Sequence, residues 1–410
     1  MKKAIFLGPF CSDKVFYEIL ENTTQFKPNI AGQRHVRMLV EGLFKAGLNI
    51  EAISMLPTAP RPYYNKVLSK YKKETVNNVK VKYVLDINIK IIKQFSRSII
   101  FAFLVFKWLL VNRKHERLII LSNIYPPTAL ITLMFKPFFK FKTVAYVTDV
   151  SECRYDYNLI SNLWFYKKLM KCFKKLSLFL DNKFDAYIFI TKEMSDIINT
   201  RKKPFIVSEC MIESSLTKLD NDVQKKSWPP AIMYAGGISR KYGINLLIES
   251  IKFIEKDIPF ELWIFGTGSD VDLVIEASKN DPRIKYYGVV RHSILMEYET
   301  KATLMINPRP SFQSFTKYSF PSKTVEYMAS GTPIISTKLE CIPMEYHEYI
   351  IFIDKETPEG IGHLISDCLK MDKKLLHSKG MKARNFVLDN KNYIIQTKKI
   401  FDFLNSVFES

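Results

Sequence analysis

The chain has 410 residues, 47% hydrophobic and 25% charged, which suffices for two or three domains with substantial cores and leaves no low-complexity tract. Six cysteines, at 11, 153, 172, 210, 341 and 368, form no CxxC pair; they suggest neither zinc nor a disulfide framework and fit a reduced, cytoplasmic chain with buried thiols. The net charge of +20 is uneven, with 35 Lys and Arg against 17 Asp and Glu in residues 1–215 and 26 against 24 in residues 216–410. A phosphate-rich surface is therefore the expected partner of the first half, and without a helix-turn-helix, RNP or zinc-finger pattern an anionic membrane is preferred to nucleic acid.

The opening Met1-Lys-Lys-Ala-Ile-Phe-Leu-Gly8 has the charge of a signal peptide, but its apolar run breaks at Gly8-Pro9, so it reads as a first strand. Further β-rich runs at 49–54, 79–85, 118–121, 143–147, 186–190 and 205–207 alternate with helical stretches, the pattern of a parallel sheet with helices on both faces. Between Leu7 and a helix expected near His35 lies a long loop ending Asn29-Ile-Ala-Gly32-Gln-Arg34. Gly32, just ahead of that helix, would either bring backbone N–H groups to a phosphate or serve as a plain turn glycine.

Residues 99–111 are apolar but interrupted by Lys107, short of the roughly 18 to 20 residues of a spanning helix. Two other stretches suit an anionic membrane surface. Leu133-Met-Phe-Lys-Pro-Phe-Phe-Lys-Phe-Lys142 carries Phe138 and Phe139, and in the helical stretch 163–176 Lys168, Lys171 and Lys175 share one face beside Trp164. The alternative for the second is an amphipathic core helix with a solvated basic side. Asp149, at the end of the strand 143–147, is placed either to orient or deprotonate an acceptor hydroxyl or to cap a helix.

The polar stretch 213–230 is the expected linker. A second α/β unit follows, with strands at 232–235, 261–265, 284–287, 304–306 and 334–337. In this unit Ser319-Phe-Pro-Ser322-Lys-Thr-Val-Glu326-Tyr-Met-Ala-Ser-Gly331-Thr-Pro333 reads as a short helix with one carboxylate, begun at Pro321 or Ser322 and ended by Gly331. Glu326 lies off the apolar stripe of Val325, Met328 and Ala329, where it could grip a polyol by both oxygens. Arg240 and Lys241 sit between a Gly-Gly strand end and a helix start, a place for a diphosphate. Asp270-Val-Asp272 has metal-binding spacing, but both acids suit the start of a helix, and Gly266-Thr-Gly268 lacks the third glycine of a dinucleotide fingerprint.

Residues 319–335, with Tyr234-Ala-Gly-Gly-Ile-Ser-Arg-Lys-Tyr-Gly243, Phe265-Gly-Thr-Gly268, Pro282-Arg-Ile-Lys-Tyr-Tyr-Gly288 and Asn307-Pro-Arg309, resemble the family 4 retaining glycosyltransferases of the GT-B fold that build bacterial surface polysaccharides. The resemblance implies an α/β fold of two Rossmann-like domains whose parallel sheets face a central cleft. Residues 1–215 would form the acceptor and membrane side, 216–390 the donor side, and 391–410 a helix returning to the first domain. It implies a nucleotide-sugar donor, a lipid-linked saccharide acceptor, and neither a cofactor nor a metal. Among the matching positions, Arg240 and Lys241 would meet the charge on the leaving phosphate and Glu326 the ribose hydroxyls, while Gly237, Gly266, Arg309 and Ser322 would line the donor site. The family's second Glu, eight positions before Glu326, is Tyr318 here, and Tyr242 stands where many members have Lys. Two rivals stay open: a sugar-nucleotide epimerase, which can share this fold, and, because of Tyr318, a partner subunit without activity.

Overall fold

Strands and helices alternate along most of the chain in the computed structural model, which describes residues 2–24, 28–68, 71–150, 164–213, 216 and 220–409. The chain divides into two units, Met1–Glu209 with Tyr393–Ser410, and Cys210–Asn392. The first boundary precedes the expected linker because residues of that polar stretch are fastened into the second unit. Asn221 donates to the Ser330 carbonyl, and the buried Lys226 ammonium donates to the carbonyls of Thr300 and Ala302 and to Thr332 Oγ1.

In unit 1 the strands are β1 (Lys3–Gly8), β2 (Ile50–Ser54), β3 (Lys73–Val76), β4 (Val79–Tyr83), β5 (Arg117–Ser122), β6 (Lys142–Val147), β7 (Ala186–Phe189) and β8 (Phe205–Val207). They lie in the order β3-β4-β2-β1-β5-β6-β7-β8, with Phe6 opposite Ala52 and Ile120. Every pairing is parallel except β3 with β4. That hairpin is absent from the sequence reading, although Asn77-Asn78, both at positive φ (45° and 71°), is the signal for its tight turn. The central strands are buried on both faces, which is why they read as unbroken apolar runs.

The covering helices are α1 (Asp13–Glu21), α2 (Ile30–Lys45), α3 (Lys90–Val111), α4 (Pro126–Met134), α5 (Trp164–Asp181) and α6 (Met194–Ile198). The expected long loop before His35 holds α1, capped by Ser12, and α2 starts ahead of His35 because Asn29 Oδ1 caps it through Gly32 N–H at 3.1 Å. The apolar run of α3 is also longer than expected: Ile92–Val111 is long and apolar enough to cross a membrane. Its inner face is nevertheless committed to unit 1, with Phe101, Val105, Trp108 and Leu109 buried.

In unit 2, β9 (Ala231–Gly237), β10 (Glu261–Thr267), β11 (Ile284–Gly288), β12 (Leu304–Asn307), β13 (Ile334–Thr337) and β14 (Ile351–Ile353) form an all-parallel sheet ordered β11-β10-β9-β12-β13-β14. Its helices are α7 (Ile244–Ser250), α8 (Val271–Asn280), α9 (His292–Lys301), α10 (Ser322–Ser330), α11 (Pro358–Lys370) and α12 (Lys373–Asn390). Alternate residues of β9 serve two cores: Met233 and Ala235 join Phe265, Tyr327 and Tyr346, while Ile232 and Tyr234 join Leu247, Ile264 and Ile365. The last helix, α13 (Tyr393–Glu409), belongs to unit 1 and packs on α2, where Gly42 leaves room for Thr397 and Ile400, Leu404 and Val407 are buried.

Candidate functional site

In the second sheet β9 leads to β10 and β11 on one side, while β12 leads to β13 and β14 on the other, so the loops after β9 and β12 part at a topological switch point. Open parallel sheets bind ligands in such a crevice, at the carboxyl ends of the strands. Glycines let the backbone crowd there. Gly266, at φ +123°, lies so close to β9 that a Cβ would stand 1.9 Å from the Gly236 carbonyl oxygen; Gly243, at φ +82°, abuts the Pro308 carbonyl in the same way at 2.0 Å. Gly266 is thus explained by chain packing, whereas Gly237 is exposed at the end of β9.

Arg309 occupies the crevice. The residue is 5% exposed, and its guanidinium lies 4.5 Å from the Phe315 ring centroid and 5.7 Å from that of Tyr242. Nη1 donates to the Ser319 carbonyl at 3.0 Å, but Nε and Nη2 meet no acceptor among the described residues. Burial pushes this guanidinium below its ordinary range without a carboxylate to offset it. A buried cation with two unmet donors is costly by itself and gains its pairing when an anion arrives.

The chain then enters α10, whose first turn holds no acid and whose N-cap, Pro321, makes no side-chain cap bond. Its orphan N–H groups favour an anion. Ser322 opens this helix, and one turn on Glu326 remains partly accessible, its carboxylate 2.7 Å from Lys323 Nζ. Tyr327, fully buried, fixes the helix by exchanging two hydrogen bonds with Ala235 of β9, at 2.8 and 2.7 Å. Nothing in the sequence beyond an apolar stripe announces that clamp. Tyr318 lies half-buried in a single turn of 3₁₀ helix, its ring 5.2 Å from Lys317 Nζ.

Arg240 and Lys241 are exposed in the loop after β9. Asp270 does more than start a helix. Its carboxylate accepts from Arg240 N at 3.1 Å and from Ser269 Oγ at 2.8 Å, and lies 3.4 Å from Arg240 Nε. The Ser269 hydroxyl and then the Arg240 amide hold this carboxyl below its usual range. Asp270 therefore fastens the basic loop to the end of β10.

Residues 229–370 match the family described as glycosyl transferases group 1. No curated protein matches the chain. Among solved structures, sucrose-phosphate synthase from Thermosynechococcus elongatus superposes with a TM-score of 0.69 at 15% identity over 99% of each chain. A glycosyltransferase from Rickettsia africae gives 0.65 at 12% identity, covering 100% of this chain and 99% of that one. Anabaena HepE, solved with UDP and glucose, gives 0.61 at 14% identity over 98% of this chain and 100% of its own. At such identities the likeness establishes the fold, two Rossmann-like domains of the GT-B type. The group 1 match contains the crevice residues from Gly237 to Glu326.

In unit 1 the remaining candidates separate. Gly32 lies in the first turn of α2, where the Asn29 side chain takes its N–H, so that group is not offered to a ligand. Asp149 is exposed two residues past β6 and accepts from Thr148 Oγ1 at 3.1 Å; Thr148 is held in turn by Asn123 beyond β5. His35 is not singled out by the sequence. Its Nε2 is enclosed without a hydrogen-bond partner among the described residues, its ring stacks on Tyr146 at 5.8 Å, and burial pushes its pKa down to about 4.

Of the expected membrane residues, Phe138 is exposed, while Phe139 packs edge-on against Phe106 and Phe135. Lys168, Lys171 and Lys175 are all exposed on α5, and Leu178 and Phe179 extend their face. The side chain of Trp164 lies outside the described residues. Cys11, Cys210, Cys341 and Cys368 are buried as expected, but Cys172 is exposed on α5.

Proposed function

We propose that the protein is a group 1 glycosyltransferase that moves a sugar from a nucleotide donor to a membrane-linked saccharide in capsular, exo- or other surface polysaccharide synthesis, with retention at the anomeric carbon. The observation that carries this reading is the Arg309 crevice within the matched segment: a buried cation with open donors, an uncapped nine-residue helix start and an accessible carboxylate, Glu326, in one stretch of chain. A diphosphate suits the first two and a ribose diol the third. That neighbours of the same fold were solved with UDP and with UDP-glucose supports a nucleotide-sugar donor.

As the bond between the sugar and the diphosphate breaks, the departing phosphate gains negative charge, and Arg309, Arg240 and Lys241 stabilise that charge more than the ground state. With three cations available, a metal at the diphosphate is superfluous, and activity is expected to survive EDTA. Asp149 orients or deprotonates the acceptor hydroxyl. The protein works at the cytoplasmic face of the membrane, held there peripherally by its basic first half.

The test is incubation with a panel of sugar nucleotides, with and without lipid-linked acceptors, following nucleoside diphosphate release and the anomeric configuration of the product. Release that requires acceptor, with an α-linked product from an α-donor, supports the proposal. Interconversion of the donor alone would make the protein an epimerase, and binding without turnover a partner subunit. The second outcome is a specific alternative because Tyr318 supplies no carboxylate where the family has one.

A further inference from the structure

The outer face of α3 has no covering among the described residues of unit 1. Ile92, Phe95, Ile99, Phe103, Phe106 and Leu110 are all exposed, and their spacing of three and four residues puts them on a single stripe along about five turns of helix. Phe95, Ile99 and Phe103 are 68%, 69% and 61% exposed. At its far end the stripe runs into the aromatic cluster of Phe106, Phe135 and Phe139, beside which Phe138 and Met134 also face solvent. A continuous apolar patch of this length is far beyond the scattered exposed side chains of an ordinary surface.

The helix is not free to leave the protein. Besides its buried inner face, Lys93 donates to Thr58, Ala59 and Asn88, and Arg97 forms a two-pronged ion pair with Asp86 and a 3.1 Å bond to the Leu56 carbonyl. The stripe must therefore be covered where it lies. The surroundings choose the cover: residues 86–149 contain ten Lys and Arg against three acids, Asp86, Glu116 and Asp149, and of these cations Lys93 and Arg117 are buried and Arg97 is paired with Asp86. Lys107, Arg113, Lys114 and Lys140 are exposed near the apolar residues, and Lys168, Lys171 and Lys175 are exposed on α5, whose neighbour α4 also touches α3. A second copy would set these positive rims against each other, whereas anionic phosphates bordering hydrocarbon match both parts of the face.

We propose that α3 is the element by which this protein enters an anionic bilayer, lying in the interface with the stripe from Ile92 to Leu110 immersed to the acyl boundary and the surrounding lysines and arginines on lipid phosphates. The basic face of α5 then adds electrostatic attraction and α3 supplies the insertion. This inference does not depend on the transferase reading, because it is measured as lipid binding without substrate.

Two variants test it in the full-length protein. Phe103→Trp preserves bulk and apolarity; on addition of vesicles containing about one-third phosphatidylglycerol its emission, measured against the parent's four tryptophans, is expected to shift to the blue and to be quenched by lipids brominated along the chain, far less so with pure phosphatidylcholine. The triple substitution Phe95→Ser, Ile99→Ser, Phe103→Ser, at positions that face solvent, is expected to lower vesicle affinity at least about tenfold at physiological salt with an unchanged melting temperature. An unshifted, unquenched signal from the introduced indole, or a triple variant that binds vesicles as the parent does, would overturn the proposal. So would a parent that sediments as a dimer and a triple variant that sediments as a monomer, since the stripe would then be covered by a second copy.

Discussion

Arg309 is the residue on which the site turns. A buried charge without a counter-charge is costly, so Arg309→Met is expected to leave the melting temperature unchanged or raise it while weakening nucleoside diphosphate binding about tenfold or more, the worth of a charged hydrogen bond of about 1.5 to 3 kcal/mol. A large fall in melting temperature with affinity intact would make Arg309 a strut for Phe315 and Ser319. The exposed loop cations have a different signature under the proposed mechanism: Arg240→Ala with Lys241→Ala should lower kcat more than it raises KM, because their charge would matter most as the phosphate departs. A rise in KM alone would reduce them to donor holding. In unit 1, His35 sets a pH dependence. Its folded pKa of about 4 lies below the unfolded value near 6.5, so the unfolded chain binds the extra proton and stability falls as pH drops from 6.5 toward 4. Urea unfolding of parent and His35→Phe at about pH 7 and pH 4.5 checks this; the variant should lack up to about 2 kcal/mol of the loss.

Elements show where sequence reasoning works and where it stops. The strands nearest the sheets' centres announce themselves because burial on both faces leaves unbroken apolar runs, as in Arg117–Ser122 or Lys142–Val147. The helix of Glu326 is equally legible, since Pro321 and Gly331 punctuate it and Gly331 adopts φ +79°. Edge elements escape: β3 has only Val76 buried, and α1 is a nine-residue helix whose Ser12 cap sits beside other loop-like residues. The outer stripe of α3 escapes for a different reason. Periodicity records that Phe95, Ile99 and Phe103 share a face, but only packing reveals that the buried face is the other one. The crevice is visible as glycines and cations, yet which of the glycines is demanded by chain packing is decided by backbone distance. Gly266→Ala should cost at least about 2 kcal/mol, combining an unfavourable φ with a Cβ driven into Gly236, whereas Gly288→Asn, with the nearest contact at 4.0 Å and φ +67°, should be tolerated. Equal melting temperatures for the two variants would show that β10 can move off β9.

At the scale of the whole molecule, charge and chain path divide the labour. Unit 1 carries the cationic excess and the apolar stripe, while unit 2 carries the crevice and the group 1 match. The C-terminal helix is part of unit 1 by packing. Ending the chain after Asn392 removes the buried Ile400, Leu404 and Val407 from α2, at roughly 1.5 to 3 kcal/mol each, and should unfold unit 1 while leaving the Trp263 environment of unit 2 folded. Survival of both units, read by proteolysis, would show α13 to be dispensable. The proposed function stands or falls on whether the loops after β9 and β12, with α10, hold a nucleoside diphosphate, and calorimetric titration is the shortest route to the answer. At least one of UDP, GDP, ADP, CDP and dTDP should bind the parent protein in an equimolar ratio without added metal, and Glu326→Ala, with a parent-like melting temperature, should bind it at least about tenfold more weakly. Heat from none of these nucleotides, or an affinity unchanged by Glu326→Ala, would contradict it.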